Sequence, residues 1–275
     1  RRLCESIDRH VPPTIGHVLI VPARDLAIFE PMVGQRRRVV AAEDVLPRRF
    51  FQLPGLEKYW IDRIGWPVRG WILQQLIKLS ADRATAAELI MFADSDLQFI
   101  RRFDVSRVLR DGRLRLHRIP GAMNEGRHRR WHRRAGSLLG TPACYFGSDY
   151  VGQLITWRRS QLLGLQQHIS DIHDRPWHVT VSRSLDFSEY ILYGSYVEHV
   201  VGAVSNGHYY EPRDLCHCCW FADHADHLLS GRQPLEPDAV ALLIQSNLGL
   251  DPDREAAVLR AASRSTPLEL AGLSS

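Results

Sequence analysis

The feature that most constrains the fold is a short apolar segment that ends in two closely spaced carboxylates. Residues 89–93 read Leu-Ile-Met-Phe-Ala, and Asp94, Ser95 and Asp96 follow at once. A continuous apolar run of this length is typical of a strand buried on both faces, as in a parallel sheet. Because side chains alternate along a strand, the i, i+2 spacing predicts that Asp94 and Asp96 share one face and can converge on one divalent cation.

Strand-like and helical patterns alternate along the rest of the chain. Apolar residues at helical spacing over 68–81 precede the 89–93 strand, and a last strand and helix are predicted within 239–262. This order predicts an α/β domain with a mainly parallel central sheet and helices on both faces, whose ligands bind beyond the carboxyl ends of the strands. Other predicted strands are 17–22, 38–42, 113–118 and 150–157; other predicted helices are 3–10, 161–172 and 187–200; 206–217 is predicted to be coil.

Length and composition bound the remaining choices. The 275 residues are 45% hydrophobic, which is enough for one large domain, and we expect it to span 1–262 with a flexible tail over 263–275. Since α/β folds usually open with a strand, we expect a first strand upstream of Arg1. No apolar run approaches the roughly 20 residues of a membrane span, and the start has no signal-peptide pattern, which favours a cytoplasmic protein.

Charge and cysteine content limit the expected binding partners, disulfides and metal sites. The formal charge of +4 is too small to indicate nucleic-acid binding by itself and suits an anionic substrate. Five unevenly placed cysteines predict a reduced compartment without structural disulfides. The run Cys216-His217-Cys218-Cys219 invites a zinc assignment, but no second pair of ligands at zinc-site spacing accompanies it.

Two enzyme classes place paired aspartates after an apolar strand. Phosphohydrolases of the haloacid dehalogenase type require Thr or Val two residues after the second aspartate, and Gln98 stands there instead. Nucleotide-sugar glycosyltransferases use the pair to hold Mg²⁺ or Mn²⁺ against the departing diphosphate. A nucleotidyltransferase or a sugar-nucleotide hydrolase is an alternative, because both can use paired aspartates with a divalent metal.

Four motifs resemble one family. Together they are similar to a bacterial family of GT-A type glycosyltransferases long labelled only as proteins of unknown function; the motifs cover residues 71–79, 92–96, 148–152 and 187–194. The resemblance implies a single Rossmann-like domain that uses a UDP- or GDP-sugar donor, a Mn²⁺ or Mg²⁺ ion and a small-molecule or glycan acceptor. It assigns Asp94 and Asp96 to ribose and metal, with Asp96 the firmer ligand, and a third ligand to His217, or failing that His208.

Further donor contacts are expected from two places. The loop holding Pro22, Arg24 and Asp25 follows a predicted strand at the end where a base and ribose would lie, although a plain turn with a helix cap at Asp25 fits equally. Gln75 and Lys78 share one side of the 68–81 helix and can reach a ribose or diphosphate, unless that side faces solvent. Ser95 lies between the two aspartates and joins this donor-binding set.

Two carboxylates are candidates for orienting or deprotonating the acceptor. Glu189 stands among aromatic residues, which can raise a carboxylate pKa and support a sugar ring; a carboxylate that merely stabilises a helix N-terminus is the alternative. Asp149, beside Tyr150, can also hydrogen-bond an acceptor hydroxyl without exchanging a proton.

A run of basic residues is the feature that would support nucleic-acid binding. Residues 127–134 read Arg-His-Arg-Arg-Trp-His-Arg-Arg. A non-enzymatic basic module is therefore an alternative function, although one cluster falls short of a binding face. A solvated helix face or a mobile lid over an active site are the other interpretations.

Overall fold

Short strands and helices alternate in the computed structural model, which describes residues 1–47, 50–52, 60–62, 67–68, 70–142, 144–184, 186–202, 206–232 and 234–264. The α/β class predicted from the sequence is confirmed. The helices are α1 Arg2–His10, α2 Leu26–Phe29, α3 Ala42–Val45, α4 Gly70–Leu79, α5 Ala81–Ala84, α6 Gly126–Leu139, α7 Arg159–His173, α8 Trp177–Ser182, α9 Glu189–Ser195, α10 Ala222–Leu229 and α11 Pro252–Arg264. A π-helical segment, Tyr196–Gly202, continues α9.

The strands are short and form several small sheets. They are β1 His17–Val21, β2 Arg37–Ala41, β3 Phe50–Gln52, β4 Trp60–Asp62, β5 Pro67–Val68, β6 Leu89–Met91, β7 Leu97–Phe99, β8 Leu109–Arg110, β9 Arg113–His117, β10 Ile119–Pro120, β11 Ser148–Asp149, β12 Thr156–Arg158, β13 His208–Glu211, β14 Cys216–Cys219 and β15 Ala241–Ile244. No helix in the described ranges is long and apolar enough to span a membrane.

The mainly parallel central sheet predicted from the sequence is not found among the described strands. Parallel pairing occurs in β1–β2, β9–β13 and β14–β15, whereas the other described pairings are antiparallel. Part of the reason is local. Asp111 and Gly112 both have positive φ, which matches the turn of a tight hairpin and folds β8 back onto β9.

The sheet β14–β15–β7 is covered by helices on both faces, as predicted. Residues with alternate parity along its strands face opposite sides: Leu97, Ala241 and Leu243 pack towards α1, whereas Leu242 and Ile244 pack under α10 and α11. The hydroxyl of Ser6 in α1 also accepts a hydrogen bond from the backbone N–H of Phe99 in β7. This arrangement places the start of β7 and the end of β15 at the edge where Asp96 lies.

A larger apolar cluster joins α4, α6, α7 and α9 around β12. Trp157 is fully buried at its centre and stacks on Tyr193, with ring centroids 4.6 Å apart. Helix α9 packs closely on the segment that follows β11, because Gly194 leaves space for the buried ring of Tyr150. The cluster therefore fixes the first residues of α9 and the residues around Asp149 in one packed unit.

Several segment predictions are confirmed and others were wrong. The helices at 3–10, 68–81 and 161–172 and the strands at 17–22, 38–42 and 113–118 are present with small shifts at their ends. The strand predicted over 150–157 is only Thr156–Arg158, because Leu154 adopts a positive φ that an extended chain does not tolerate. The coil predicted over 206–217 contains β13 and the start of β14.

The last described residues of the chain belong to a helix. Helix α11 continues to Arg264, beyond the limit placed at residue 262. Of the tail predicted over 263–275, residues 265–275 lie outside the described residues.

Replacing Gly194 with alanine should destabilise the fold. The added Cβ would lie 2.3 Å from Cδ1 of Tyr150, so the ring or helix α9 must move. We expect Gly194→Ala to lower the free energy of unfolding by about 1–3 kcal/mol, as overpacking does, despite the better helix propensity of alanine. Urea titration followed by circular dichroism measures it. Gly70→Ala is the matched control: it adds a methyl group in open space on α4 and should be neutral or stabilising.

Candidate functional site

Lys78 lies where three sequence-distant motifs meet. Its Nζ is 3.1 Å from Oε1 of Glu189 and 3.2 Å from Oδ1 of Asp94, and it donates a 2.7 Å hydrogen bond to the hydroxyl of Tyr190. Gln75, one turn earlier on α4, accepts a hydrogen bond from the backbone N–H of Glu189 at 3.0 Å. We call Gln75, Lys78, Asp94, Glu189 and Tyr190 the Lys78 cluster.

Because the Lys78 cluster is largely buried, the electrostatic interactions between its charged groups are strong. The side chains of Lys78 and Glu189 are 13% and 7% exposed, whereas that of Asp94 is 27% exposed. Burial alone would lower the pKa of Lys78, but the neighbouring Glu189, Tyr190 and Asp94 together raise this pKa above its usual value. One ammonium group thus faces two carboxylates, and Asp94 is the more exposed of the two.

The two aspartates lie on a turn, which corrects the expectation that strand alternation aligns them. Strand β6 ends at Met91, and the turn is closed by a hydrogen bond from Leu97 N–H to Asp94 O. Asp94 faces Lys78, whereas Oδ2 of Asp96 accepts a 3.4 Å hydrogen bond from Ser246 N–H beyond β15. Burial raises the pKa of Asp96, and backbone N–H groups partly offset that rise.

A shallow cavity of about 360 Å³ borders the outer side of this turn. Ser95 and Asp96 line it from the turn, and Gln245 and Ser246 line it from the end of β15. The turn therefore stands between this cavity and the Lys78 cluster.

The structure does not bring His217 to the aspartates. Strand β14 pairs His217 with Leu242, so the imidazole points under α10 and α11, away from the strand end. His217 is buried, and neither ring nitrogen has a hydrogen-bond partner among the described residues. Burial and the nearby His224 lower its pKa. No group of three or more His, Cys, Asp or Glu residues that could hold a metal occurs in the described part of the chain.

His208, the second histidine candidate, belongs to a buried hydrogen-bond network. Its Nδ1 is 2.7 Å from the carbonyl oxygen of Asn206, and its Nε2 is 3.4 Å from the hydroxyl of Tyr193. Tyr193 in turn accepts a hydrogen bond from Arg158 N–H at 2.9 Å. Both ring nitrogens are thus engaged within the core, which gives His208 a structural role.

The first loop lies at the end of β1, as predicted. Pro22 precedes a short 3₁₀ turn, Ala23–Asp25, and Arg24 pairs with Asp25 at 3.7 Å. The side chain of Asp25 makes no cap hydrogen bond at the start of α2. The contacts that the structure describes for Lys78 do not involve this loop.

Asp149 is paired with a histidine that the sequence did not indicate. Asp149 is 3% exposed, its Oδ1 is 3.2 Å from Nδ1 of His128, and it accepts a hydrogen bond from Val151 N–H at 3.3 Å. In the sequence His128 is one member of the basic run. Only the three-dimensional pairing of α6 with β11 distinguishes it from its neighbours.

Next to this pair, Glu198 of the π-helical segment binds two partners. It accepts two 2.8 Å hydrogen bonds from the guanidinium of Arg118 and one of 2.8 Å from the hydroxyl of Tyr150. Burial and the adjacent Glu198 raise the pKa of Tyr150. This network ties the residue after Asp149 to the end of α9.

The basic run forms helix α6, and part of its charge is compensated locally. Asp186 accepts a hydrogen bond from Nε1 of Trp131 at 2.7 Å and pairs with Arg130 at 3.1 Å and Arg127 at 3.5 Å. Trp131 and His132 are buried. The run is therefore an amphipathic helix rather than an uncompensated basic surface, which disfavours the nucleic-acid alternative.

One protein family matches nearly the whole described chain. Residues 2–264 match a family of unknown function, DUF6492. The chain belongs to the DUF6492 family. No curated protein matches the chain. The DUF6492 match spans all four motifs, the Lys78 cluster and the His128–Asp149 pair.

In this DUF6492 protein, removing the ammonium of Lys78 should be costly. We expect Lys78→Met to lower the free energy of unfolding by about 3–5 kcal/mol, because Glu189 then stays buried without a counter-charge. The double variant Lys78→Met/Glu189→Gln should lose less than the sum of the two single variants. Urea titration of all three measures the coupling, with Arg83→Met on the exposed side of α5 as control. Additive losses would contradict the pairing.

Buried His208 should make the protein sensitive to acid. Burial lowers its pKa from 6.5 to about 4, so the unfolded state binds a proton between these pH values while the folded state does not. The contribution of neutral His208 to the free energy of unfolding is therefore complete above pH 6.5 and declines as the pH falls towards 4. We expect the decrease in unfolding free energy between pH 7 and pH 4.5 to be smaller in His208→Gln by about 2 kcal/mol. His227→Gln, on α10, should leave the decrease unchanged.

Proposed function

We propose that the protein is a glycosyltransferase of GT-A type that moves a sugar from a UDP- or GDP-sugar to an acceptor hydroxyl with the aid of Mg²⁺ or Mn²⁺. The observation that carries the proposal is the meeting of three motifs at Lys78: helix α4, the Asp94-Ser95-Asp96 turn and the start of α9. These are three of the four segments whose sequence resembles such transferases. The parallel pair β1–β2 and the helices on both faces of β14–β15–β7 are compatible with the GT-A fold.

The Lys78 cluster suits a diphosphate leaving group. Glu189 and Tyr190 hold the ammonium in a fixed position, so little reorganisation is needed when a phosphate arrives. A phosphate oxygen can replace Asp94 as the third partner of Lys78 and form a charge-assisted hydrogen bond. The carboxylate of Asp94 is then free to rotate towards the exposed side of the Asp94-Ser95-Asp96 turn.

The donor set at the turn fits a hard divalent cation only in part. Asp94 and Asp96 supply carboxylate oxygens, and Mg²⁺ is often bound by one or two carboxylates together with substrate phosphates and water. Because the described residues bring no third His, Cys, Asp or Glu to the pair, Asp94 and Asp96 would hold the ion with the help of the donor. When bound, the cation supplies charge compensation for the diphosphate.

The metal should therefore bind together with the nucleotide. In calorimetric titrations we expect UDP or GDP to bind in the presence of Mn²⁺, and Mn²⁺ alone to bind weakly. Asp96→Asn should weaken the Mn²⁺-dependent binding at least tenfold, about 1.4 kcal/mol. The control Asp223→Asn, in the first turn of α10, should leave it unchanged. Absence of UDP and GDP binding with and without Mn²⁺ would refute the proposed function.

A further inference from the structure

A buried carboxylate sets the orientation of a more exposed imidazole. The side chain of Asp149 is 4% exposed and that of His128 is 22% exposed, with Oδ1 and Nδ1 3.2 Å apart. A carboxylate that faces Nδ1 holds the imidazole with its proton on that nitrogen and leaves the lone pair on Nε2. The group that can meet a substrate at this place is therefore His128, because Asp149 lies behind it.

His128 adjoins two stacked tryptophans, the buried Trp131 and the partly exposed Trp71. Its ring is 4.6 Å from that of Trp131, which stacks on Trp71 with centroids 5.6 Å apart. Trp71 is 36% exposed, and the guanidinium of Arg127 lies over its ring at 5.0 Å. The part of Trp71 that stays exposed beside Arg127 can pack against the apolar face of a sugar ring, while the guanidinium binds the hydroxyls of that sugar.

This aromatic surface and the Lys78 cluster lie along the same helix. Trp71 precedes Lys78 on α4 by two turns, which is about 10 Å along the helix axis. The anomeric carbon of a nucleotide sugar is attached through oxygen to its second phosphorus. A donor bound by Lys78 and extended along α4 towards Trp71 would carry that carbon in the direction of His128.

The other candidate bases have different partners. Glu189 is buried in an ion pair with Lys78, and Asp149 is covered by His128. Neither carboxylate is placed to meet an acceptor directly. The imidazole of His128 combines a carboxylate partner at Nδ1, partial exposure and two neighbouring tryptophan rings.

We infer that His128 is the base that removes the proton from the acceptor hydroxyl, with Asp149 as its positioning residue. The inference rests on the transferase function proposed above. The acceptor oxygen forms a bond to the anomeric carbon, and the bond from that carbon to the phosphate oxygen breaks. The electron pair of that bond leaves with the nucleoside diphosphate, and the hydroxyl proton goes to Nε2 of His128. The resulting imidazolium faces the carboxylate of Asp149, which stabilises it.

Donor hydrolysis tests the role of His128, because water can replace the unidentified acceptor. We expect His128→Ala to slow release of UDP or GDP from the nucleotide sugar by about 10²–10⁴-fold. Mn²⁺-dependent affinity for UDP or GDP should change less than twofold, and free imidazole should restore part of the rate. The control His227→Ala should keep the full rate. An unchanged rate in His128→Ala, or a slow rate that imidazole does not restore, would overturn the assignment.

The positioning role of Asp149 has a readout independent of turnover. In protein labelled with ¹⁵N at histidine, NMR should show neutral His128 carrying its proton on Nδ1. Asp149→Asn should shift that signal and slow hydrolysis, with nucleotide affinity preserved. If the unmodified protein binds neither UDP nor GDP, the transferase function is refuted. If it binds nucleotide but neutral His128 carries its proton on Nε2, the pairing with Asp149 is refuted while the transferase function stands.

Discussion

The buried ammonium of Lys78 is the interaction on which the arrangement of the site depends. It is the shared partner of Glu189, Asp94 and Tyr190, which come from two segments far from α4 in the sequence. An ammonium this deeply buried is tolerated only because carboxylates surround it, and Glu189 is tolerated for the reciprocal reason. The ammonium of Lys78 therefore sets the positions of both the Asp94-Ser95-Asp96 turn and the first turn of α9. The backbone of Glu189 is held as well, through its hydrogen bond to Gln75.

The local sequence pattern predicts correctly those elements in which apolar residues recur with a clear helical or strand period. The helical spacing over 68–81 predicted α4, and with it the common side of Gln75 and Lys78 that the Lys78 cluster uses. The alternative of a solvent-facing side fails, because Gln75 is buried and Lys78 nearly so. The sequence marks Asp94 and Glu189 as candidate site residues, but their meeting at one ammonium depends on tertiary packing, which no local spacing encodes.

The errors have identifiable physical causes. The mainly parallel sheet was inferred from the order of elements, but hairpins such as the one at Asp111-Gly112 fold strands back on their neighbours. That dipeptide is a recognisable turn signal and could have corrected the topology. The resemblance assigns a third metal ligand to His217, whereas the register of β14 directs its imidazole under α10 and α11. His128 carried no signal that separates it from the arginines around it.

Helix α9 and the π-helical segment after it connect the Lys78 cluster with the surroundings of Asp149. Helix α9 begins at Glu189, in the Lys78 cluster, and the segment that continues it carries Glu198, which binds Arg118 and the hydroxyl of Tyr150. Gly194, between these ends, lies against the ring of the same Tyr150. One continuous helical rod therefore touches both the ammonium of Lys78 and the neighbour of Asp149. The Lys78 cluster and the surroundings of the His128–Asp149 pair thus share one backbone element, so a change in the length or direction of that element would displace contacts at both places.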